Sequence, residues 1–176
     1  MTRWEARAVT TGVTRNGLAI SRHALYAFAA LLPGVPFVAY REGRQFTHRP
    51  GDGVPDPRSI VGVVESATST AREVRVVLRI DDPSVQRALA AMERDGRLSL
   101  AGLSLVFRFP GWQEWHADGR MVWRVDAVSR IHSLDLVDRA GADGARILRR
   151  LSIAPQAALH ERSPVYEPQD SFFATR

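Results

Sequence analysis

Two runs near the middle of the chain restrict its fold more than any other feature: Ser59-Ile60-Val61-Gly62-Val63-Val64-Glu65 and Glu73-Val74-Arg75-Val76-Val77-Leu78-Arg79-Ile80. Side chains branched at Cβ lose rotamer freedom against a helical turn but pack well on a pleated surface, so both runs read as strands. They are close enough in sequence to pair, with Ala67 to Ala71 as their turn. A chain organised around such a pair needs further strands to cover its edges. The rest of the sequence supplies them.

Glu5 to Ile20 mixes apolar residues with Thr around Asn16-Gly17, a strong hairpin signal, and reads as two short strands. Ser21 can cap a helix reaching Leu32, because Leu25, Phe28 and Leu32 recur at spacings of three and four before Pro33-Gly34 stops it. Phe37 to Tyr40 is a short strand, and Arg41 to Pro57, rich in Gly, Pro, Asp and Arg, reads as a long loop carrying His48. Asp82-Pro83 opens a second helix with Val85, Leu89 and Met92 on one face and Gly96 at its end. Leu98 to Phe109 reads as a strand, Pro110 to Gly119 as a loop bearing Trp112, Trp115 and His116, and Met121 to Val137 as two strands or one bent strand. Ala142 to Leu151 reads as a closing helix.

Many strands with a few helices that do not alternate regularly with them predict an α+β, mainly β fold: an antiparallel or mixed β-barrel with helices packed outside. The 176 residues, 45% of them apolar, suffice for one domain, expected over residues 1–153. From residue 154 to 176 Pro, Gln, Ser and Glu displace the core pattern, as in a flexible tail. No apolar run approaches the roughly 18 residues of a membrane span, and the first residues lack the apolar stretch of a secretory signal, so a soluble, cytosolic protein is expected.

Composition removes several chemistries. With no cysteine there is no thiolate nucleophile and no thiolate metal site. All 24 basic residues are arginine, which excludes lysine Schiff bases and the lysine of a phosphate-binding loop. No two histidines have the spacing of a zinc site, so neither a metal nor a cofactor is expected. The net charge of +5 is scattered rather than striped, which argues against nucleic acid as partner, although exposed Trp112 and Trp115 would be the residues to stack on bases.

Hydrolysis by a covalent route would therefore use a hydroxyl. In Leu98-Ser99-Leu100-Ala101-Gly102-Leu103-Ser104-Leu105-Val106-Phe107, Ser104 stands on an apolar strand with a glycine two positions earlier, where backbone could approach closely. The same residues also suit a packed core serine bonded to a carbonyl. Of the five histidines, His23, His116 and His160 read as surface residues, whereas His48 occupies the long loop and could accept a hydroxyl proton. His132 and Asp135 share one strand; strict alternation puts them on opposite faces, and Asp135, between Leu134 and Leu136, needs a partner if buried.

Taken in order, these segments resemble the prohead (capsid maturation) serine proteases of tailed phages, a family similar in fold to the herpesvirus assemblins. The resemblance runs from about Ser21 to Leu151. It rests on Leu32-Pro33-Gly34-Val35-Pro36, on Phe46-Thr47-His48 followed by Val61-Gly62-Val63-Val64, on Gly102-Leu103-Ser104-Leu105, and on Ser133-Leu134-Asp135-Leu136-Val137 with Asp138-Arg139-Ala140-Gly141-Ala142 behind it. It implies Ser104 as nucleophile, His48 as general base and Asp135 as third member, with His132 as the alternative. It also implies an oxyanion loop at Arg139, Ala140 and Gly141, where Ala140-Gly141 replaces a common proline. The implied substrates are the major capsid protein, the scaffold protein and the enzyme's own ends, inside the immature procapsid in the host cytoplasm. The resemblance leaves a homo-oligomeric state open. A non-catalytic capsid or scaffold component keeping the same fold is the alternative.

Overall fold

The computed structural model describes residues 1–42, 45–47 and 54–152. Its strands are β1 (Thr2–Thr10), β2 (Gly12–Val13), β3 (Leu18–Ile20), β4 (Pro36–Val38), β5 (Tyr40–Glu42), β6 (Gln45–Thr47) and β7 (Ile60–Ser69). They continue with β8 (Glu73–Ile80), β9 (Gly102–Arg108), β10 (Gly111–Trp115), β11 (Met121–Val125), β12 (Arg130–Val137) and β13 (Arg146–Leu151). Two helices, α1 (Arg22–Leu31) and α2 (Pro83–Arg94), interrupt them. Seven strands close into a barrel in the order β1-β13-β9-β12-β4-β7-β8, and β10-β11-β3-β2 form a separate small sheet. The barrel is antiparallel except where β12 runs parallel to β4, so the expected mixed, mainly β barrel is present.

The two runs that suggested the fold become β7 and β8, paired from Gly62↔Ile80 to Ser69↔Val74. Their turn is tighter than expected, because β7 continues to Ser69 and only Thr70 to Arg72 separate the strands. Gly62 is required by the close approach of the strands: a Cβ there would run into the Arg79 carbonyl. β8 alternates regularly, and β1 does so as far as Arg7 before a bulge at Ala8, sending Trp4, Ala6, Val76 and Leu78 into the core and leaving arginines outside. The outward arginines meet acids on nearby strands: Arg3 on β1 reaches across β8 to Glu65 on β7, Arg7 pairs with Glu73, and Arg75 and Arg149 both reach Glu5.

α1 begins where Ser21 accepts from the Ala24 N–H at 3.3 Å, as its sequence suggested. It packs on β7, β8 and β12, burying Leu25 and Phe28, with the Phe28 ring edge-on to Phe107 at 4.9 Å. α2 begins at Asp82, whose carboxylate accepts from the N–H groups of Ser84 and Val85.

Four expectations are corrected. Ala142 to Leu151 is not a helix: Arg146–Leu151 is β13, the strand that closes the barrel between β1 and β9. Its local sequence is compatible with either state, and pairing with two strand edges decides. Leu98–Leu100 is a single 3-10 turn before β9 rather than part of it. Within Pro110 to Gly119, Gly111–Trp115 forms β10 on β11. The first part of the Arg41 loop is a hairpin of β5 with β6, in which the Arg41 guanidinium lies 4.8 Å from the Phe46 ring centre. His48 and the tail from residue 154 lie outside the described residues.

Candidate active site

Ser104 and Asp135 occupy directly opposed positions on β9 and β12, so their side chains share one face. The interior face of the same strand pair carries Leu103 opposite Leu136 and Leu105 opposite Leu134. Asp135 is 3% exposed, while Ser104 is half-buried and open to a recess. A buried carboxylate beside a hydroxyl on rigid strands is a costly placement unless it has partners, and Asp135 has a partner.

His132 enters differently from expectation. β12 shifts register between Ile131 and Ser133, leaving His132 as the extra residue of a β-bulge. The strict alternation that set His132 and Asp135 on opposite faces therefore breaks at His132. The ring is half-buried with its Nε2 enclosed, and His132, like Asp135, has a partner.

The segment after β12 folds back over β9. A Cβ on Gly102 would meet the Val137 carbonyl at 2.8 Å and the Ala140 nitrogen at 3.0 Å, so only glycine allows this crossing. The close backbone approach expected at Gly102 is thus made by the loop holding Arg139, Ala140 and Gly141. Gly141 follows directly beside the nucleophile candidate, since a Cβ there would lie 3.7 Å from Ser104 Oγ. The loop is held from the other side by the β2–β3 turn, where the Arg15 N–H donates to the Gly141 carbonyl at 2.9 Å. Arg139 is exposed and rims a neighbouring recess with Arg15 and Arg146.

His48 is not among the described residues, but the strand leading to it is placed. The Asp138 N–H donates to the Phe46 carbonyl at 3.1 Å, which ties β6 to the end of β12 three residues beyond Asp135. Thr47, the last described residue before His48, continues this strand.

β9 also has an open edge. Its ladder with β13 consists of Arg146 opposite Gly102, flanked by Leu103 N–H to Ala145 C=O at 3.0 Å. Beyond that point Leu105 and Phe107 direct backbone groups to the same side, where no strand pairs with them among the described residues. An apolar recess of Ala8, Val9, Leu18, Ile20, Leu105 and Phe107 lies along this edge, with Ser104 at its margin.

Trp112 and Trp115, the residues named for stacking on bases, do not share a face. Both are exposed, but they are three residues apart on β10 and fall on opposite faces; Trp115 shares its face with Trp123. Among the described residues no group of three or more His, Asp or Glu could hold a metal ion, and no helix is long and apolar enough to cross a membrane.

The fold and site thus define a mainly β protein with a closed seven-stranded barrel whose strands β9 and β12 present Ser104 beside Asp135. Comparison with family models, with curated proteins and with solved structures finds no match.

Proposed function

We propose that the chain is a serine endopeptidase of the phage prohead type, with the barrel of the herpesvirus assemblins, which cleaves capsid and scaffold protein during maturation of the procapsid. The observation that carries this reading is the crossing of the Arg139-Ala140-Gly141 backbone over Gly102 beside the Ser104 hydroxyl, on the face that also holds the buried Asp135. A packed core serine needs neither a loop drawn across its strand nor an open strand edge beside it.

In the proposed reaction a peptide lies extended along the free edge of β9 and pairs with the backbone of Leu105 and Phe107. Ser104 Oγ attacks the scissile carbonyl carbon while His48 takes the hydroxyl proton. Backbone N–H groups of the loop at Ala140 and Gly141 stabilise the negative oxygen of the tetrahedral intermediate. The C–N bond breaks, the amine leaves with the proton from His48, and water then hydrolyses the acyl-enzyme by the same base. Asp135 orients the imidazole and balances its charge, with His132 as the alternative for this role.

The test is co-expression with the capsid and scaffold proteins of the same particle, read by intact mass for wild type, Ser104→Ala and His48→Ala. Loss of processing in both variants is the expected result. Undiminished processing by Ser104→Ala would overturn the reading and favour a non-catalytic shell component.

A further inference from the structure

Gly102 stands opposite Val137 on β12 and Arg146 on β13, and Ser104 follows it two residues along β9. Opposed residues share a face, and so do residues two apart on a strand. Arg146 therefore rises on the face that carries Ser104 and Asp135, one strand across and about 7 Å along from the serine. The segment Ala140-Gly141-Ala142, passing over Gly102, walls the Ser104 recess from a second recess of about 280 Å³. Ala142 lines both.

The second recess is basic. Arg15, Arg139 and Arg146 line it together with two carboxylates, Asp138 and Asp143. Asp143 reaches Arg15 at 3.7 Å with both side chains more than half exposed, a loose pair that solvent screens. Arg139 and Arg146 have no acid partner among the described residues, whereas Arg3, Arg7, Arg75 and Arg149 elsewhere on the outside of the barrel each have one. Arg146 is half-buried and stands on a strand, which fixes where its side chain starts. Leu100, 59% exposed, adds an apolar side chain to the rim.

Resting on the protease reading above, we propose that this recess is a substrate subsite for the side-chain carboxylate of an Asp or Glu within about three residues of the scissile bond, with Arg146 and Arg15 as the specificity-determining residues. A peptide on the free edge of β9 lays one flank along the apolar recess, and its other flank meets the Gly141 loop and the basic recess behind it. The planar fork of a guanidinium suits a carboxylate in two-point contact. These arginines gather round one pocket instead of following a groove, which matches a single anionic side chain and not the repeating phosphates of nucleic acid.

The experiment uses the full chain. A fluorophosphonate probe first reports the nucleophile: the Ser104 oxygen bonds to phosphorus, the hydroxyl proton passes to the base and fluoride leaves. Wild type, Arg146→Gln, Arg146→Glu and Arg15→Glu then receive a synthetic peptide library, acetylated and amidated at its ends so that side chains hold the only carboxylates. Cut sites are read by mass spectrometry, and melting temperatures are measured alongside. Wild-type cuts are expected to carry Asp or Glu about fivefold or more above the library frequency at one position within about three residues of the cut. Arg146→Gln should remove most of that preference, and Arg146→Glu should invert it in favour of Arg or Lys. Arg15→Glu should act in the same direction and, on an exposed turn residue, decides the matter should Arg146→Glu fail to fold. A purely structural role predicts lower overall cleavage with an unchanged residue preference. If wild type labels at Ser104 but cuts no peptide or cuts without an acidic preference, or if the arginine variants keep that preference, the subsite is overturned while the protease reading stands. If wild type does not label at Ser104, the protease reading fails and this inference fails with it.

Discussion

Ser104 on β9 and Asp135 on β12 are cross-strand partners on one face, and Asp135 is buried where a carboxylate is expensive to keep. On the proposed protease reading, this relationship ranks the two candidates for third member of the triad. Asp135→Asn is expected to slow labelling of Ser104 by about 10³ to 10⁴, the range for losing the orienting carboxylate of a serine triad, whereas His132→Gln costs less than about tenfold. Labelling kinetics of the two variants decide between them; the reverse order would transfer the role to His132.

Gly102 and Gly141 separate loop geometry from stability. Gly102→Ala drives a Cβ against the backbone of Val137 and Ala140, so it should destabilise by about 1–3 kcal/mol and displace the loop, with loss of labelling. Gly141→Ala meets Ser104 Oγ and Asn16 Oδ1 only at ordinary contact distance. It should keep its melting temperature yet label more slowly, because the methyl group takes space beside the Ser104 hydroxyl, the proposed nucleophile. Denaturant titration paired with labelling distinguishes the two outcomes.

The closing strand offers a test of fold alone. The Ile147 N–H donates to the Ala101 carbonyl at 2.9 Å inside the barrel. Ile147→Pro removes that donor from a strand paired on both sides and should cost about 3 kcal/mol or more, whereas Ile147→Val should cost about 0.5–1.5 kcal/mol. Circular dichroism melts read both.

Acid should weaken the protein through its outer ion pairs. The Glu5 carboxyl is held below its ordinary range by the hydrogen bond from Arg149, which with Arg75 outweighs the opposing effect of burial. Burial pushes Glu73 up, but hydrogen bonds and charge from Arg75 and Arg7 leave it lowered overall. Asp82 is lowered by the Ser84 hydroxyl and the Val85 N–H. For each group the unfolded chain binds more protons than the folded one, so the stabilisation is complete above the unfolded carboxylate range near about 4. It is lost as pH falls through the lower folded values. Melting temperatures from pH 7 down to 3 should fall below about pH 4.5, and Glu5→Gln should flatten that fall.

Much of the barrel was legible because its strands carry their own signature. β7 and β8 read directly from β-branched runs, and both helices from their caps at Ser21 and Asp82. β10 and β13 were not legible, because Gly111–Trp115 and Arg146–Leu151 acquire strand character only from the edges they pair with. At the site, Ser104, Gly102 and Asp135 could be picked out from an apolar strand interrupted by small or polar residues. The docking of the Asn16-Gly17 turn on the Gly141 loop could not: its sequence signal is that of a turn, and nothing local says which loop the turn will face.

By itself the sequence determined the chemistry open to this protein and the periodicity of its strongest elements. A chain without cysteine or lysine leaves hydroxyl, imidazole, carboxylate and guanidinium groups, and alternation commits its β-branched runs to strands. Tertiary structure alone decided which of these groups meet. The register of β9 on β12 sets Ser104 opposite Asp135, a one-residue bulge takes His132 out of the alternation, and the return of the chain over Gly102 brings Gly141 beside the hydroxyl. The physical reason is range: rotamer and turn preferences act over a few residues, whereas register and loop crossing depend on closing the whole barrel.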